Sequence, residues 1–143
     1  GIADHWDTHA NQFPLLRERL CPAFDTGYTA LLDDLDDRGL LDETLVVVLG
    51  EFGRTPKINP KGGRDHWPGC NSILLAGAGI TGGAVHGASD GIAAFPTRDA
   101  VAPEDVAATI YHALGLPLTT MVVDHTGRPL QLCTGKPLLH LWA

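Results

Sequence analysis

The stretch TLVVVLGEFGRTP, residues 44–56, decides the predicted fold. Its first half is a continuous run of aliphatic and β-branched residues that ends at Gly50, which is typical of a strand buried in a parallel sheet. A helical pattern precedes it, so the two elements predict half of an α/β unit. Ligands of α/β proteins bind at the carboxyl ends of the strands, and this rule places Glu51 and Arg54 at a functional edge.

Two helices and a second strand are predicted around this stretch. Apolar residues recur every three or four positions over residues 13–38, which predicts a helix that Pro22 kinks or splits and that Gly39 ends. The run SILLAG at residues 72–77 predicts another buried strand. Residues 103–115 carry proline at the first helical position, two acidic residues in the first turn and a final glycine, so they predict the clearest helix.

Length and composition restrict the class of protein. The 143 residues fit one domain, and a hydrophobic fraction of 44% argues against disorder. The net charge is −7 and the ten basic residues are scattered, which argues against a nucleic-acid partner. No apolar run is long enough to predict a transmembrane segment. The three cysteines form no CxxC pair, and three buried free thiols are favoured over one disulfide.

Carboxylate and imidazole residues occur in three groups along the chain. Such oxygen and nitrogen donors suit zinc, manganese or similar divalent ions. Because two groups lie in polar loops and one follows a strand, residues distant in sequence are expected to converge on one site. The groups are Asp4, His5, Asp7 and His9; Glu51; and Asp65 with His66.

Each candidate also has a structural alternative. Asp7 and its neighbour Thr8 could cap the helix that follows, Glu51 could form an ion pair with Arg54, and residues 65–66 could be an ordinary loop. Arg54 is also a candidate anion binder, because its planar guanidinium matches sulfate or phosphate through two parallel hydrogen bonds.

Aromatic residues flank two of these groups, and other catalytic patterns are missing. Trp6 and Trp67 could form the wall of a pocket or pack in the core. Ser72 is not in a GxSxG context, and the sequence contains no Walker loop, no GxGxxG after the first strand and no HExxH.

Three motifs carry a resemblance to a known family. The strings WDTH (residues 6–9), GEFGRTP (50–56) and GRDHW (63–67) together resemble an uncharacterised bacterial branch, a domain of unknown function, of the alkaline phosphatase and sulfatase superfamily. The predicted helix at 103–115 is similar to a helix near the superfamily's C-terminal end. The resemblance covers nearly all of residues 1–143. It implies an α/β protein with a three-layer α/β/α fold and a mainly parallel sheet, of which this chain is the C-terminal part and therefore incomplete.

The resemblance also implies metal ligands. Carried over by motif, they are Asp7, His9, Glu51, Asp65 and His66. Glu51 stands where the superfamily has the aspartate of an Asp-His pair, but Phe52 follows it in place of the second ligand. The spacing between Asp7 and His9 is also shorter than usual. These departures predict one metal in place of two, or a non-catalytic relative.

The activity implied is metal-dependent hydrolysis of a sulfate or phosphate ester, on a small molecule or a polysaccharide. The cofactor would be zinc, manganese, calcium or magnesium. Arg54 would stabilise charge on the transferred group, Trp67 would contact the substrate, and a missing N-terminal segment would supply the nucleophile. The alternatives are a catalytically decayed binding or structural module of the same fold, and a small independent metal-binding domain. An extracytoplasmic location, periplasmic or secreted, is compatible with the resemblance.

Overall fold

The computed structural model describes residues 6–142, and its first major feature is one long helical segment. The segment comprises α1 (Gln12–Leu15), a π-helical turn (Leu16–Leu20) and α2 (Cys21–Asp37). The backbone N–H of Cys21 donates to the carbonyl of Leu16, five residues back. Pro22 has no N–H and lies in the first turn of α2, where that group is not needed. The predicted break at Pro22 therefore takes the form of a change in hydrogen-bond pattern.

Both long helices end as their glycines predict. Gly39 has φ 65°, and its N–H donates to the Asp36 carbonyl while the Leu40 N–H donates to Leu35, both at 2.8 Å. This pair of bonds is the Schellman motif, which favours glycine because the backbone is left-handed there. Helix α3 (Pro103–Ala113) ends in the same way at Gly115. The two helix predictions are confirmed.

Within residues 6–142 the strands form four separate two-stranded sheets, all antiparallel. In the largest, β1 (Leu45–Val48) pairs with β4 (Leu74–Gly77), and Leu45 lies opposite Gly77. The others pair β2 (Gly53–Arg54) with β3 (His66–Trp67), β5 (Ala88–Ser89) with β6 (Pro96–Arg98), and β7 (Met121–Val123) with β8 (Pro129–Gln131).

The predicted three-layer fold with a mainly parallel sheet is wrong. Parallel neighbours need a crossover, usually a helix, between them. The chain between β1 and β4 instead holds the short β2–β3 ladder and loops, so it returns to β1 in the antiparallel direction. The strands are also less buried than predicted: every residue of β1 is only half-buried, and Leu74 at the start of β4 is exposed.

The packed core is small. Among residues 6–142 the buried apolar residues are Ala94, Ala108, Cys133 and Leu141, and the helical segment before β1 buries no apolar side chain. The chain exposes 9846 Å², whereas a compact monomer of 15.2 kDa exposes about 7,100 Å². Apolar surface on the long helix and on the β7–β8 hairpin is consequently left uncovered.

Side-chain hydrogen bonds join α3 to residues 136–138. Thr109, almost fully buried, donates its hydroxyl to the Asp105 carbonyl at 2.6 Å and accepts the Leu138 N–H at 3.1 Å. The Asp105 carboxylate accepts the Lys136 N–H at 2.7 Å and the Ala102 N–H at 3.2 Å. These two backbone hydrogen bonds hold the pKa of Asp105 below its usual range.

Two further expectations from the sequence agree with the structure. Cys21, Cys70 and Cys133 are all free thiols, although only Cys133 is buried as predicted, since Cys70 is half-buried and Cys21 is exposed. Within residues 6–142, no helix combines the length and the hydrophobicity needed to cross a bilayer.

A candidate metal centre

Two chain segments that are distant in sequence are joined side by side and build the site. Ala10 forms an antiparallel bridge with Gly62, and the Arg64 N–H donates to the Thr8 carbonyl at 3.3 Å. The close approach needs a glycine at position 63, because a Cβ there would overlap the His9 carbonyl group. The β2–β3 ladder continues the arrangement by placing His66 opposite Arg54. His9 and His66 are therefore brought together across 57 positions of sequence.

Three ligand atoms converge at this junction. His9 Nε2 lies 3.1 Å from His66 Nε2 and 3.0 Å from Asp7 Oδ1, and His66 Nε2 lies 2.8 Å from the same oxygen. Ligands bound tetrahedrally to zinc at 2.0–2.1 Å are separated from one another by about 3.3–3.4 Å. The triangle of atoms is slightly tighter than one face of such a tetrahedron. The three side chains are 42–57% exposed, so the remaining side of the triangle is open to solvent.

With neutral histidines, the three short contacts among these ligand atoms cannot all be hydrogen bonds, because too few N–H protons point into the triangle. His9 Nδ1 lies 2.9 Å from Asp65 Oδ1, and a carboxylate oxygen only accepts, so the Nδ1 carries the proton. In neutral His9 the Nε2 is then a lone pair that faces the Asp7 carboxylate and His66. His66 Nε2 holds at most one proton for two acceptors. A cation in place of the missing proton would stabilise this cluster, and within residues 6–142 Asp7, His9 and His66 form a group whose ligand atoms could hold a metal ion.

The guanidinium group of Arg54 forms an ion pair with the carboxylate of Asp7. Arg54 Nη2 donates to Asp7 Oδ1 at 2.7 Å and to the Trp6 carbonyl at 3.1 Å, and its Nη1 donates to the Arg64 carbonyl at 3.4 Å. Hydrogen bonds from His66 and Arg54 lower the pKa of Asp7 to about 2. Asp7 is therefore a carboxylate over the whole range in which imidazoles are neutral, which is the protonation state that metal binding requires.

Asp65 lies behind His9 and not among the converging atoms. Its Oδ1 accepts from His9 Nδ1 at 2.9 Å and from the side-chain amide of Asn59 at 3.1 Å. These two hydrogen bonds hold the pKa of Asp65 below its usual range. A carboxylate bonded to the outer nitrogen of a ligand histidine fixes the ring's tautomer and orientation. The structure thus gives Asp65 a supporting contact with the site.

Glu51 and Trp67 are placed away from the triangle. Glu51 is exposed, and its carboxylate is not part of the converging group. The ring of Phe52, the next residue, packs against His66 with centroids 4.2 Å apart. Trp67 donates its Nε1 to the Ala94 carbonyl at 2.7 Å and packs edge-on against Phe95.

Two alternatives from the sequence can be compared with these positions. Helix α1 starts at Gln12, and its N-cap is Asn11, so Asp7 and Thr8 lie too far upstream to cap it. Arg54 pairs with Asp7 and not with Glu51. Asp4 and His5 lie outside the described residues.

Sequence reasoning missed Asn59. Its amide donates to the carbonyl of His9 at 3.0 Å as well as to Asp65, and its Oδ1 accepts the backbone N–H groups of Lys61 and Gly63 at 2.9 and 3.0 Å. An asparagine ahead of Pro-Lys-Gly-Gly is typical of a turn in which the side chain bonds the backbone two residues on. That signal is present in the sequence and identifies the turn, although not its contact with Asp65.

A shallow cleft adjoins the site. Its volume is about 390 Å³, and the residues that line it are His9, Asn59, Pro60, Lys61 and Asp65. Lys61 is the cationic residue among them. His9 lines the cleft, so a molecule bound there would lie next to the cluster of Asp7, His9 and His66.

Comparison with known protein families gives one result. Residues 2–141 match the family described as protein of unknown function (DUF1501). Since the match spans almost the whole chain, the chain belongs to this family. The searches of curated proteins and of solved structures returned no match.

Proposed function

We propose that this DUF1501 chain carries the metal centre of a hydrolase that acts on sulfate or phosphate esters. The observation behind the proposal is the triangle of ligand atoms from Asp7, His9 and His66, with sides of 2.8–3.1 Å. Three protein ligands with a fourth position open to solvent are the composition of catalytic zinc sites, whereas structural zinc sites close all four positions. All three are among the five residues that the resemblance to alkaline phosphatases and sulfatases marks as ligands; Glu51 and Asp65 are the other two.

The donor set selects the class of metal. Two imidazole nitrogens and one carboxylate oxygen suit zinc or manganese. Calcium and magnesium prefer six or more oxygen ligands, or carboxylates with several waters. We therefore propose a single zinc or manganese ion. The position of Glu51 outside the triangle supports one metal in place of two.

The chain's own residues have distinct parts in the proposed reaction. A bound divalent ion supplies Lewis-acid polarisation of an ester oxygen. Asp7, His9 and His66 bind the ion, and Arg54 fixes the carboxylate of Asp7 through the hydrogen bond at 2.7 Å. Lys61 lines the adjoining cleft together with the Asp65 carboxylate, and we propose that its ammonium group contacts an anionic ester bound there. Direct stabilisation of the transferred group by Arg54, and substrate contact by Trp67, stay predictions.

The nucleophile is proposed to come from polypeptide outside residues 1–143. The chain exposes 9846 Å², which is about 2,700 Å² more than a compact monomer of its mass. Excess surface of this size is comparable to that of permanent protein interfaces. It supports a further segment that packs on the chain and completes the site.

A second candidate function is a metal-binding module without catalysis. It is favoured by Phe52, whose ring packs against His66 at the position where the resemblance predicts a second metal ligand. An aromatic ring there shields the histidine but supplies no ligand. This alternative and the hydrolase share the metal site, and they differ in whether an ester is turned over.

Metal content tests the site. The protein expressed from its natural coding sequence, purified without chelator, is expected to hold about one zinc or manganese ion per chain by elemental analysis. His66→Ala is expected to lose the ion, while His86→Ala, which changes an exposed histidine outside the site, retains it. A wild-type protein without metal after dialysis against Zn²⁺ and Mn²⁺ would reject the proposal.

Hydrolysis of aryl sulfates and aryl phosphates separates the two functions. The metal-loaded protein is expected to hydrolyse one of these esters, to lose activity with a chelator and to recover it with the metal. Arg54→Ala, assayed at saturating metal, is expected to be slower because Asp7 loses the hydrogen bond that Arg54 donates at 2.7 Å. Background rates in both proteins, with metal retained, would support the module and refute the hydrolase.

A further inference from the structure

We propose that Asn59 is a positioning residue, which acts through Asp65 to set the orientation and tautomer of His9 at the metal centre. The inference rests on the proposed metal site and adds a residue outside its ligand set. Asn59 is 50 positions from His9 in sequence, yet its side chain contacts both His9 and the carboxylate behind His9.

The amide of Asn59 has every one of its roles filled. Its nitrogen donates to the His9 carbonyl at 3.0 Å and to Asp65 Oδ1 at 3.1 Å. Its oxygen accepts from the N–H groups of Lys61 and Gly63. One side chain therefore connects the backbone of His9, the carboxylate behind the ring and the turn that brings the two segments together.

This arrangement fixes which nitrogen of His9 faces the ion. Asp65 Oδ1 accepts from His9 Nδ1 at 2.9 Å, and the Asn59 amide donates to that same oxygen at 3.1 Å. The proton stays on Nδ1, so the lone pair of Nε2 is directed to His66 and Asp7, at 3.1 and 3.0 Å. Without the amide, Asp65 would be held by His9 alone and could rotate.

The substitution Asn59→Asp separates positioning from folding. The carboxylate keeps an oxygen that can accept from Lys61 and Gly63, so the turn is retained. It removes both N–H donors and places a second negative oxygen next to Asp65. The matched control is Asn71→Asp, because Asn71 also donates to a backbone carbonyl (Gly50, 2.9 Å) and accepts a backbone N–H (Ser72, 2.8 Å) but has no contact with the site.

The experiment is a Co²⁺ titration of the protein expressed from its natural coding sequence, read by visible absorption. The bands report both affinity and coordination geometry. We expect Asn59→Asp to weaken Co²⁺ binding by about 10- to 100-fold and to change the shape of the bands, while Asn71→Asp keeps wild-type values. Urea unfolding of the metal-free proteins shows whether the two variants lose stability equally.

The possible outcomes separate the role of Asn59 from the existence of the metal site. Wild-type affinity and bands in Asn59→Asp would overturn the role of Asn59 and leave the metal site standing. Equal weakening in both variants would reduce Asn59 to a general structural residue and also overturn the inference. If the wild type binds no Co²⁺, the proposed metal site fails and the inference fails with it.

In the metal-free protein, NMR correlations of the imidazole nitrogens give a readout that does not depend on metal. Neutral His9 is expected to carry its proton on Nδ1. Asp65→Ala, which removes the acceptor, is expected to move the proton toward Nε2. An unchanged tautomer in that variant would contradict the proposed chain of contacts from Asn59 to His9.

Discussion

Gly63→Ala is the sharpest test of how the site is assembled. A Cβ at this position would overlap the carbonyl carbon and oxygen of His9 and lie 2.5 Å from the Ala10 nitrogen, closer than real Cβ atoms come to other atoms. All of these are backbone atoms, so no side chain can rotate away to make room. The two segments must therefore separate.

The cost follows from the hydrogen bonds between the segments. Three backbone hydrogen bonds join them: Asn11 to Lys61 and Gln12 to Gly62, both at 3.1 Å, and Arg64 to Thr8 at 3.3 Å. At about 0.5–1.5 kcal/mol each, their loss lowers the free energy of unfolding by roughly 2–4 kcal/mol. Zn²⁺ has to close the same gap to reach all ligands, so its affinity falls by up to about 30- to 700-fold.

Urea unfolding without metal and Zn²⁺ competition against a chromogenic chelator measure the two effects. Gly91→Ala is the control, since a Cβ there meets no atom within 4 Å. If Gly63→Ala unfolds and binds Zn²⁺ as Gly91→Ala does, the segments are not in the contact described, and the geometry of the site is refuted.

Two further predictions concern the α3 region. Thr109→Val leaves the Leu138 N–H without its acceptor and is expected to lower the free energy of unfolding by about 1–3 kcal/mol. The control is Thr97→Val, because the exposed hydroxyl of Thr97 makes one long hydrogen bond of 3.4 Å. The control is expected to change the free energy of unfolding by less than about 0.5 kcal/mol. The pKa of Asp105 is lower in the folded protein, so its contribution to stability is complete above the unfolded value near 3.8 and disappears as the pH falls through the folded value. Acid unfolding of Asp105→Asn should lack that component, and an identical pH profile in wild type and variant would contradict the contact with Lys136.

The helices could be predicted because their signals are local. Gly39 and Gly115 adopt left-handed backbone with φ of 65° and 69°, and Pro103 occupies a first turn that needs no N–H. Each signal acts within one or two turns of its own helix. Their outcome does not depend on how the rest of the chain packs.

The sheet could not be predicted in the same way. The run Leu45–Val48 has the same composition whether its neighbour runs parallel or antiparallel, and the choice depends on the connection to residues 74–77. That connection holds no crossover helix. The sequence also overestimates how deeply Leu45–Val48 is buried. An apolar run does not show whether other elements of the fold cover both faces of the strand.

The site is predictable in its residue types and not in its geometry. The sequence proposes Asp7, His9 and His66 as ligands, and their ligand atoms do converge. It groups Asp65 with them, but Asp65 contacts the outer nitrogen of His9. Distinguishing a ligand from a residue behind a ligand requires the direction of the His9 ring, which sequence spacing does not contain.

The separation of the proposed ligands along the chain has a consequence for folding. Asp7 and His9 are neighbours, but His66 is 57 positions from His9. An unfolded chain that recruits the third ligand must close a loop of that length, at an entropy cost of about 4 kcal/mol. The folded chain has already closed it through the β2–β3 ladder and the Ala10–Gly62 bridge. Under the proposed function, an ion bound at this site favours the folded state by mass action. Because only four apolar residues among those described are buried, the melting temperature is expected to rise with the concentration of free metal.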